Sequence, residues 1–356
     1  MRRTILLTLA VLILVAGAAF WWWSRPLPVL NVVSWPGAYG RAQAAAQMQA
    51  YGTAKRIDVR IQQWAQNGTL EELKRAIETH SAGDVVDLEL PVAVAACQAG
   101  LLEPIDAATL PAGADGTAAD HDFYKGMIGR CHVASAIYAQ MLVCAAPCRT
   151  DRDIASLFAY AAGGIKLGLQ RGAKINLELA LLADGVPPQD IYPVLSTDAG
   201  VARAFNKLSS IKPNIVWWTS SAQPLAMLKS GQVAAATALT ADVQAASGAA
   251  VPLATQFYEA DVLAIPKGGA TPERALDYIR TATSSAPLAD MVKFAPYMPP
   301  RRSSLALVEA QAPSPTRDFV ASQKGMMEKS FAIDDAWWAE HGAALEARFR
   351  AWVDAP

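Results

Sequence analysis

The 356-residue sequence lacks a large net charge and has few histidines. Lys and Arg together number 31 and Asp and Glu 32, which gives a formal charge of −1. This balance offers no general attraction for nucleic acid. The histidines (His80, His121, His132 and His341) are scattered, and no CxxC or HxxxH pattern occurs. The sequence therefore predicts neither a nucleic-acid partner nor a metal site.

The sequence also lacks the short motifs of common enzyme classes. It contains no GxSxG, P-loop or GxGxxG pattern. No sequence motif therefore supports a hydrolase, a nucleotide-binding or a dinucleotide-binding function. No pair of a nucleophile and a base can be singled out either. We therefore expect a protein that binds without catalysis and without a cofactor.

The first 24 residues predict export from the cytoplasm. A basic head, Met1-Arg2-Arg3, precedes an uncharged apolar run from Thr4 to Trp23, the pattern that the export machinery reads. Two outcomes stay open. Ala16-Gly17-Ala18 is a small-x-small site for a signal peptidase, whereas an uncleaved run of about 20 residues spans a bilayer. In the second outcome, the tryptophans at 21–23 lie at the membrane interface.

Both outcomes place the chain after residue 24 in the periplasm, either free or tethered to the inner membrane by residues 4–23. No cysteine lies near the end of the leader, which excludes a lipoprotein. The four cysteines are Cys97, Cys131, Cys144 and Cys148. Their even number and an oxidising compartment predict one or two disulfides. Cys144 and Cys148 are close enough in sequence to close a small loop, and a buried free thiol is the alternative for Cys97.

Residues 30 to 100 alternate between strand and helix patterns. Apolar and β-branched segments predict strands at 30–35, 56–62 and 83–88. A helical segment follows each strand, and Thr69-Leu70-Glu71-Glu72 is a capping box that opens the second helix. Such alternation with short turns predicts an α/β fold with a mainly parallel sheet and helices on both faces. Ligands of such sheets bind at the carboxyl ends of the strands.

The middle of the chain continues this alternation. Strands are predicted at 164–169, 214–218 and 233–239. An apolar run from Ala134 to Val143 predicts a strand that crosses toward a second lobe, and strand-like segments follow at 251–254 and 260–266. A chain of 356 residues is too long for one simple core and fits two lobes.

An ordered series of short segments resembles the family 1 extracellular solute-binding proteins, and most closely the spermidine/putrescine-binding proteins of ABC importers. The resemblance covers the chain from Leu30 to about Leu307. The segments that carry it are LNVVSW at 30–35, GDVVD at 83–87, AGLLEPID at 99–106, GQVAAA at 231–236, DVLAIP at 261–266 and APYMP at 295–299.

The resemblance implies a two-lobed fold of the type II periplasmic-binding-protein kind, with a ligand cleft between lobes that close by a hinge. The chain crosses between the lobes near Ile137 and near Asp261. Lobe 1 is then expected at 30–136 plus 264–302, and lobe 2 at 137–263 plus 303–356. The implied function is that of a monomeric receptor that captures a small amine-bearing, polyamine-like solute and delivers it to an ABC permease in the inner membrane.

In polyamine binders, aromatic faces sandwich the alkyl chain and carboxylates pair with the ammonium ends. The first-strand Trp of that pattern corresponds to Trp35, and the acidic residue before the Leu-Ala-Ile-Pro segment corresponds to Asp261. Two departures weaken the diamine assignment. Glu89 lies near the place of a family Tyr, and Gln170-Arg171 stand where an acidic pair is expected.

The residues themselves support these two candidates. Trp35 follows a strand and precedes Pro36-Gly37, so its ring either projects at the strand's carboxyl end or packs in the core. Asp261 lies in an apolar strand, where an unpaired carboxylate is costly. Either a cationic ligand or an internal Arg such as Arg171 must satisfy it.

Five further residues are candidates for the same cleft. Tyr39 adds a second aromatic face or lies at the surface, and Glu89 either faces the cleft or caps the next helix. Tyr138 and Tyr258 line the pocket or the hinge, and strand alternation favours Trp218 over its neighbour.

Two other functions stay open. In the first, the ligand is an amino acid or another anionic or zwitterionic solute that is bound by Arg171 and by the amides at helix N-termini. Alternatively, the chain is a membrane-anchored sensory domain that does not dock on a transporter.

Overall fold

A mixed sheet of nine strands forms the framework of the described residues, which in the computed structural model are 25–65, 68–145, 153–245, 250–327 and 331–355. The strands are β1 Val29–Ser34, β2 Asp58–Gln63, β3 Val85–Glu89, β4 Val133–Ala145, β5 Leu167–Gln170, β6 Ile215–Trp218, β7 Ala235–Leu239, β8 Ala250–Ala264 and β9 Phe331–Ala332. Their spatial order is β2-β1-β3-β8-β4-β7-β5-β6, and β9 pairs with β8.

Helices pack on both faces of this sheet. They are α1 Gly37–Gln43, α2 Gln49–Lys55, α3 Leu70–Glu78, α4 Leu90–Gln98, α5 Ala119–Asp122, α6 Ile154–Ala162, α7 Asn176–Ala183, α8 Ile191–Leu195, α9 Asp198–Ser209, α10 Gln223–Lys229, α11 Thr240–Ala245, α12 Pro272–Ala282, α13 Ser285–Met291, α14 Arg302–Gln311, α15 Ser314–Met327 and α16 Asp335–Asp354. A π-helical segment, Ala44–Met48, joins α1 to α2.

The sheet consists of two halves that are joined by two long strands. In the first half β1 pairs in parallel with β2 and β3, and in the second half β5 pairs in parallel with β6 and β7. The long strands β4 and β8 run antiparallel to each other from Val133–Leu263 to Ala145–Ala250. The C-terminal end of β8 pairs with β3, and the C-terminal end of β4 pairs with β7. The predicted α/β architecture with parallel strands is confirmed.

The two halves have separate hydrophobic cores on the same face of the sheet. Leu30, Val85 and Leu263 belong to the core of the first half, whereas Leu142 and Phe257 belong to that of the second. Leu263 and Phe257 lie on the same face of β8 because side chains alternate along a strand. The stretch of this face between the two cores carries the polar residues described below, and we call it the central face.

The C-terminal helices divide between the halves. Leu305 and Val308 of α14 and Val320 of α15 pack in one cluster with Val33 and Val86 of the first half. Helix α16 packs in the core of the second half and also against α4. Residues of α14 and α15 thus pack with the first half, and the predicted assignment of 303–356 to lobe 2 stays a prediction. The other lobe boundaries stay predictions as well.

One disulfide is present among the described residues. Cys97 of α4 and Cys131, just before β4, are joined with an S–S distance of 1.98 Å. The alternative of a buried free thiol at Cys97 is therefore wrong. Cys148 lies outside the described residues, so the predicted loop between it and Cys144 stays a prediction.

The predicted leader, residues 1–24, also lies outside the described residues. Within the described ranges, no helix has both the length and the apolar character needed to cross a bilayer.

Candidate ligand-binding site

Four carboxylates lie on the central face, where β3 and β8 meet. Asp87 and Glu89 are two residues apart on β3, and Glu259 and Asp261 are two residues apart on β8, so all four side chains share one face. Glu89 pairs directly with Asp261 across the antiparallel strands. We call Asp87, Glu89, Glu259 and Asp261 the acidic group. A cross-strand pair of like charges destabilises a sheet unless another charge compensates it.

Asp87 is fully buried and is held by three uncharged donors. The Tyr39 hydroxyl donates to it at 2.8 Å, the Trp35 indole Nε1 donates at 3.3 Å, and the Gln43 amide donates as well. Burial raises the pKa of Asp87 to about 7, although these hydrogen bonds favour the ionised form. The Asp87 carboxylate is thus ordered and ready to carry a charge, but no cation contacts it in the described part of the chain.

Asp261 is 6% exposed, and its carboxylate has no hydrogen-bond donor among the described residues. Burial raises the pKa of Asp261 well above its ordinary value, and the charges of Asp87 and Glu89 raise it further. A buried, unpaired carboxylate is stabilised when a cation approaches it. Asp261 is therefore the position in the acidic group at which an external cation gains most.

One cation, Lys174, lies inside the acidic group. Its Nζ is 2.6 Å from a Glu89 carboxylate oxygen, and it also forms an ion pair with Glu259. Lys174 belongs to the loop between β5 and α7 of the second half, whereas Glu89 ends β3 of the first half. This ion pair therefore joins the two halves directly.

Aromatic rings line the central face beside the acidic group. Tyr39 and Tyr297 are both buried and meet edge to face, with ring centroids 5.2 Å apart. Trp35 and Tyr138 pack partly buried against the same cluster, and Tyr138 on β4 pairs directly with Glu259 on β8. The π faces of such rings stabilise cations that have been removed from water.

The structure brings five of the seven predicted site residues together. Trp35 and Tyr39 donate to Asp87, Tyr138 pairs with Glu259, and Glu89 and Asp261 belong to the acidic group itself. Whether these residues contact a ligand stays a prediction.

Two predicted residues lie elsewhere. Trp218 is 2% exposed and packs among Met141, Val143 and Met227, with its indole donating to Thr237 at 3.1 Å. It therefore lies apart from the acidic group, and its ligand role stays a prediction.

Tyr258 lies on the face of β8 opposite to Glu259 and Asp261 because of strand alternation. Its hydroxyl donates to the Gln323 carbonyl of α15 at 3.0 Å. The side chain thus anchors α15 to the sheet on the face away from the acidic group, and its role at the pocket or the hinge stays a prediction.

Arg171 does not satisfy Asp261, contrary to one of the predicted alternatives. Its guanidinium pairs with Asp354 at the end of α16. The residues that sequence reasoning missed are Gln43 and Lys174, whereas Asp87 and Glu259 stand beside predicted residues. Period-two alternation places Asp87 with Glu89 and Glu259 with Asp261, whereas Gln43 and Lys174 carry no local signal.

Two half-sheets joined by two long strands, with buried charges between them, define a two-lobed receptor for a small solute. The chain belongs to the family of bacterial extracellular solute-binding proteins, which it matches over residues 45–316. A gamma-aminobutyric acid-binding protein of Pseudomonas aeruginosa is 32% identical over 333 residues, which are 91% of this chain and 90% of that protein.

Solved structures share this fold across nearly the whole chain. The Atu4243-GABA receptor has a TM-score of 0.77 at 26% identity, covering 92% of this chain and 98% of that one. MotA from Agrobacterium tumefaciens, in complex with glucopine, has a TM-score of 0.80 at 20% identity, covering 91% and 99%. The spermidine/putrescine-binding PotD of Streptococcus pneumoniae reaches 0.67 at 13% identity, covering 92% and 100%, which shows the common fold alone.

These comparisons confirm the predicted family, the predicted fold and the prediction of a binding protein rather than an enzyme. The family description also agrees with the predicted location outside the cytoplasm.

Proposed function

We propose that the protein is the periplasmic receptor of an ABC importer and that its ligand is a small solute carrying a primary amine. The observation that carries this proposal is the unpaired, buried carboxylate of Asp261 between the two halves. The ligand's ammonium would lie between Asp261 and Asp87, beside the ring of Trp35.

The charge balance of the central face supports a cationic group on the ligand. The acidic group contains four carboxylates and contacts a single cation, Lys174, among the described residues. Buried like charges raise each other's pKa and destabilise the ionised state. An ammonium removes this penalty and forms charge-assisted hydrogen bonds with the carboxylates. A ligand without a positive charge would leave Asp261 unpaired.

The comparisons favour a short amino acid over a polyamine. The P. aeruginosa relative binds gamma-aminobutyric acid, which carries one ammonium and one carboxylate. The zwitterionic alternative from the sequence is therefore retained, but without Arg171, whose guanidinium is occupied by Asp354. We take gamma-aminobutyric acid as the first compound to test.

The way in which the halves are connected supports closure by a hinge. The continuous strands β4 and β8 join the halves, and the Lys174–Glu89 ion pair bridges them at the central face. A ligand that contacts both halves stabilises the closed arrangement over the open one. The closed receptor would then dock on the permease.

The binding proposal is tested by calorimetric titration of the purified protein with gamma-aminobutyric acid, butylamine, putrescine, glucose and sulfate. We expect at least one amine to bind and glucose and sulfate to give no heat of binding. Binding of glucose or sulfate without any amine would contradict the proposal. The transport role is tested separately, because cells that lack the chain should lose uptake of the labelled ligand.

A further inference from the structure

We propose that Lys174 acts as a built-in ammonium that limits the site to ligands with one positive charge. The inference rests on the proposed function, because it concerns the same acidic group. In this view, the Lys174 side chain occupies the place that the second ammonium of a diamine would take.

The acidic group falls into two pairs with different partners. Glu89 and Glu259 share the Lys174 ammonium, which is 2.6 Å from Glu89. Asp87 has only uncharged donors, and Asp261 has no donor within the described residues. One pair is thus already neutralised by the protein, and the other is left for a ligand.

The two pairs are close enough for one short ligand to reach both. Glu89 and Asp261 are direct cross-strand partners, which places their Cβ atoms about 5 Å apart. Without Lys174, the acidic group would offer two adjacent places for ammonium ions. This arrangement would suit a short diamine.

Lys174 is held firmly in its position. Its side chain is 16% exposed, and the carboxylate of Glu346 accepts the preceding N–H of Ala173 at 2.8 Å. The Asn176 amide donates to the Gln170 and Gly172 carbonyls at 2.7 Å each. Between them Ile175 has a φ of +71°, which is strained for a β-branched residue and persists only where the surroundings fix it. A lysine on such a loop does not swing away as a surface lysine does.

Lys174 also remains charged. Burial alone would lower the pKa of Lys174, but attraction to Glu259 and Glu89 raises it well above its ordinary value. The second ammonium of a diamine would therefore approach a fixed positive charge. Like charges brought together in a binding site repel each other, so the site discriminates against such a ligand.

Three ligands with the same four-carbon chain test the inference. Gamma-aminobutyric acid, butylamine and putrescine differ only in the far end, which is a carboxylate, a methyl group or a second ammonium. In calorimetric titrations of the unmodified protein, we expect putrescine to bind at least about tenfold more weakly than the better of the other two. In Lys174→Met, the putrescine affinity should rise by about tenfold or more relative to butylamine.

Lys55→Met is the matched control, because Lys55 pairs with Asp277 on the surface of the first half. It should keep the selectivity of the unmodified protein, and Lys174→Arg, which keeps the charge, should do the same. If Lys174→Met does not fold because Glu89 and Glu259 are left unpaired, the double variant Lys174→Met/Glu259→Gln removes one of these charges. The same gain in putrescine affinity is expected from it.

Failure of the inference differs from failure of the proposed function. If the unmodified protein binds a monoamine but removal of Lys174 leaves the putrescine-to-butylamine ratio unchanged, the inference is overturned and the proposed function stands. If the unmodified protein binds none of the three ligands, the proposed function is overturned and the inference falls with it.

Discussion

Replacing Asp261 with asparagine should reduce affinity for the amine ligand by about 2 to 5 kcal/mol, or roughly 30- to 5,000-fold in Kd. The magnitude follows from the position of the side chain. Asp261 is 6% exposed and lies opposite Glu89, so an ammonium bound there is removed from water and depends on the carboxylate charge. Asparagine keeps the shape of the side chain and removes only that charge.

The same substitution should stabilise the ligand-free protein at alkaline pH. Burial and the neighbouring carboxylates raise the pKa of Asp261 in the folded state, so between the unfolded and folded pKa values the folded state binds more protons. The contribution of this residue to stability therefore falls as the pH rises through that interval. Asparagine does not titrate, so the variant should lose less stability on going from pH 5 to pH 8.

Calorimetry at pH 8 and thermal unfolding without ligand measure the two effects on the same samples. Asp277→Asn is the control, because this exposed carboxylate pairs with Lys55 at the surface and accepts from the hydroxyl of the buried Tyr51 in the first half. It should leave ligand affinity unchanged. Unchanged affinity in Asp261→Asn would remove this residue from the site. Weaker binding together with lower ligand-free stability at both pH values would point to a purely structural role.

Three further predictions concern neighbouring parts of the structure. Amine affinity should fall by up to about tenfold per pH unit below pH 7, because burial raises the pKa of Asp87 to about 7 and binding must then displace its proton. Titrations at pH 6 in buffers of different ionisation enthalpy should show that binding releases a proton. Binding without proton release would contradict this role of Asp87. Trp35→Leu should weaken amine binding by about 1 to 2 kcal/mol in calorimetric titrations, and Trp35→Phe should weaken it by less. Equal losses of affinity in the two variants would exclude a cation–π contribution. Cys97→Ser/Cys131→Ser should lower the free energy of unfolding by about 4 kcal/mol, because the disulfide closes a loop with a sequence separation of 34; an unchanged denaturation midpoint and slope would contradict this estimate.

Much of the fold follows from local patterns in the sequence. The predicted strands at 30–35, 56–62 and 83–88 correspond to β1, β2 and β3 within two residues at each end, and Thr69 caps α3 by accepting the Glu72 N–H as predicted. Each of these strands lies wholly within the first half of the sheet, so its local composition was enough to locate it.

The long strand β8 was harder to predict because it passes between two environments. The sequence suggested two segments, 251–254 and 260–266, whereas the structure has one continuous strand, Ala250–Ala264. Gln256 and Glu259 interrupt the apolar pattern at the centre of the strand. Such polar residues suggest a strand end, but here they lie on a buried stretch between two cores, where tertiary contacts override the local pattern.

The candidate site was predictable only where a strand end or a charge within an apolar strand marked it. Trp35, Glu89 and Asp261 lie at or near such ends or within an apolar strand, and the structure brings them together. Lys174 is 85 residues from Glu89 in sequence and lies on a loop without any motif, so only the fold reveals their ion pair. The positions of Trp218 and Tyr258 required the phase of alternation relative to the sheet, which a short segment does not fix.

The central claim is that a shielded carboxylate between the two halves receives the ammonium of the ligand. A crystal structure of the protein with the tightest-binding amine tests it most directly. We predict the ammonium nitrogen about 3 Å from a carboxylate oxygen of Asp261, with the alkyl chain against the ring of Trp35. An ammonium that lies away from both Asp261 and Asp87 would contradict the account.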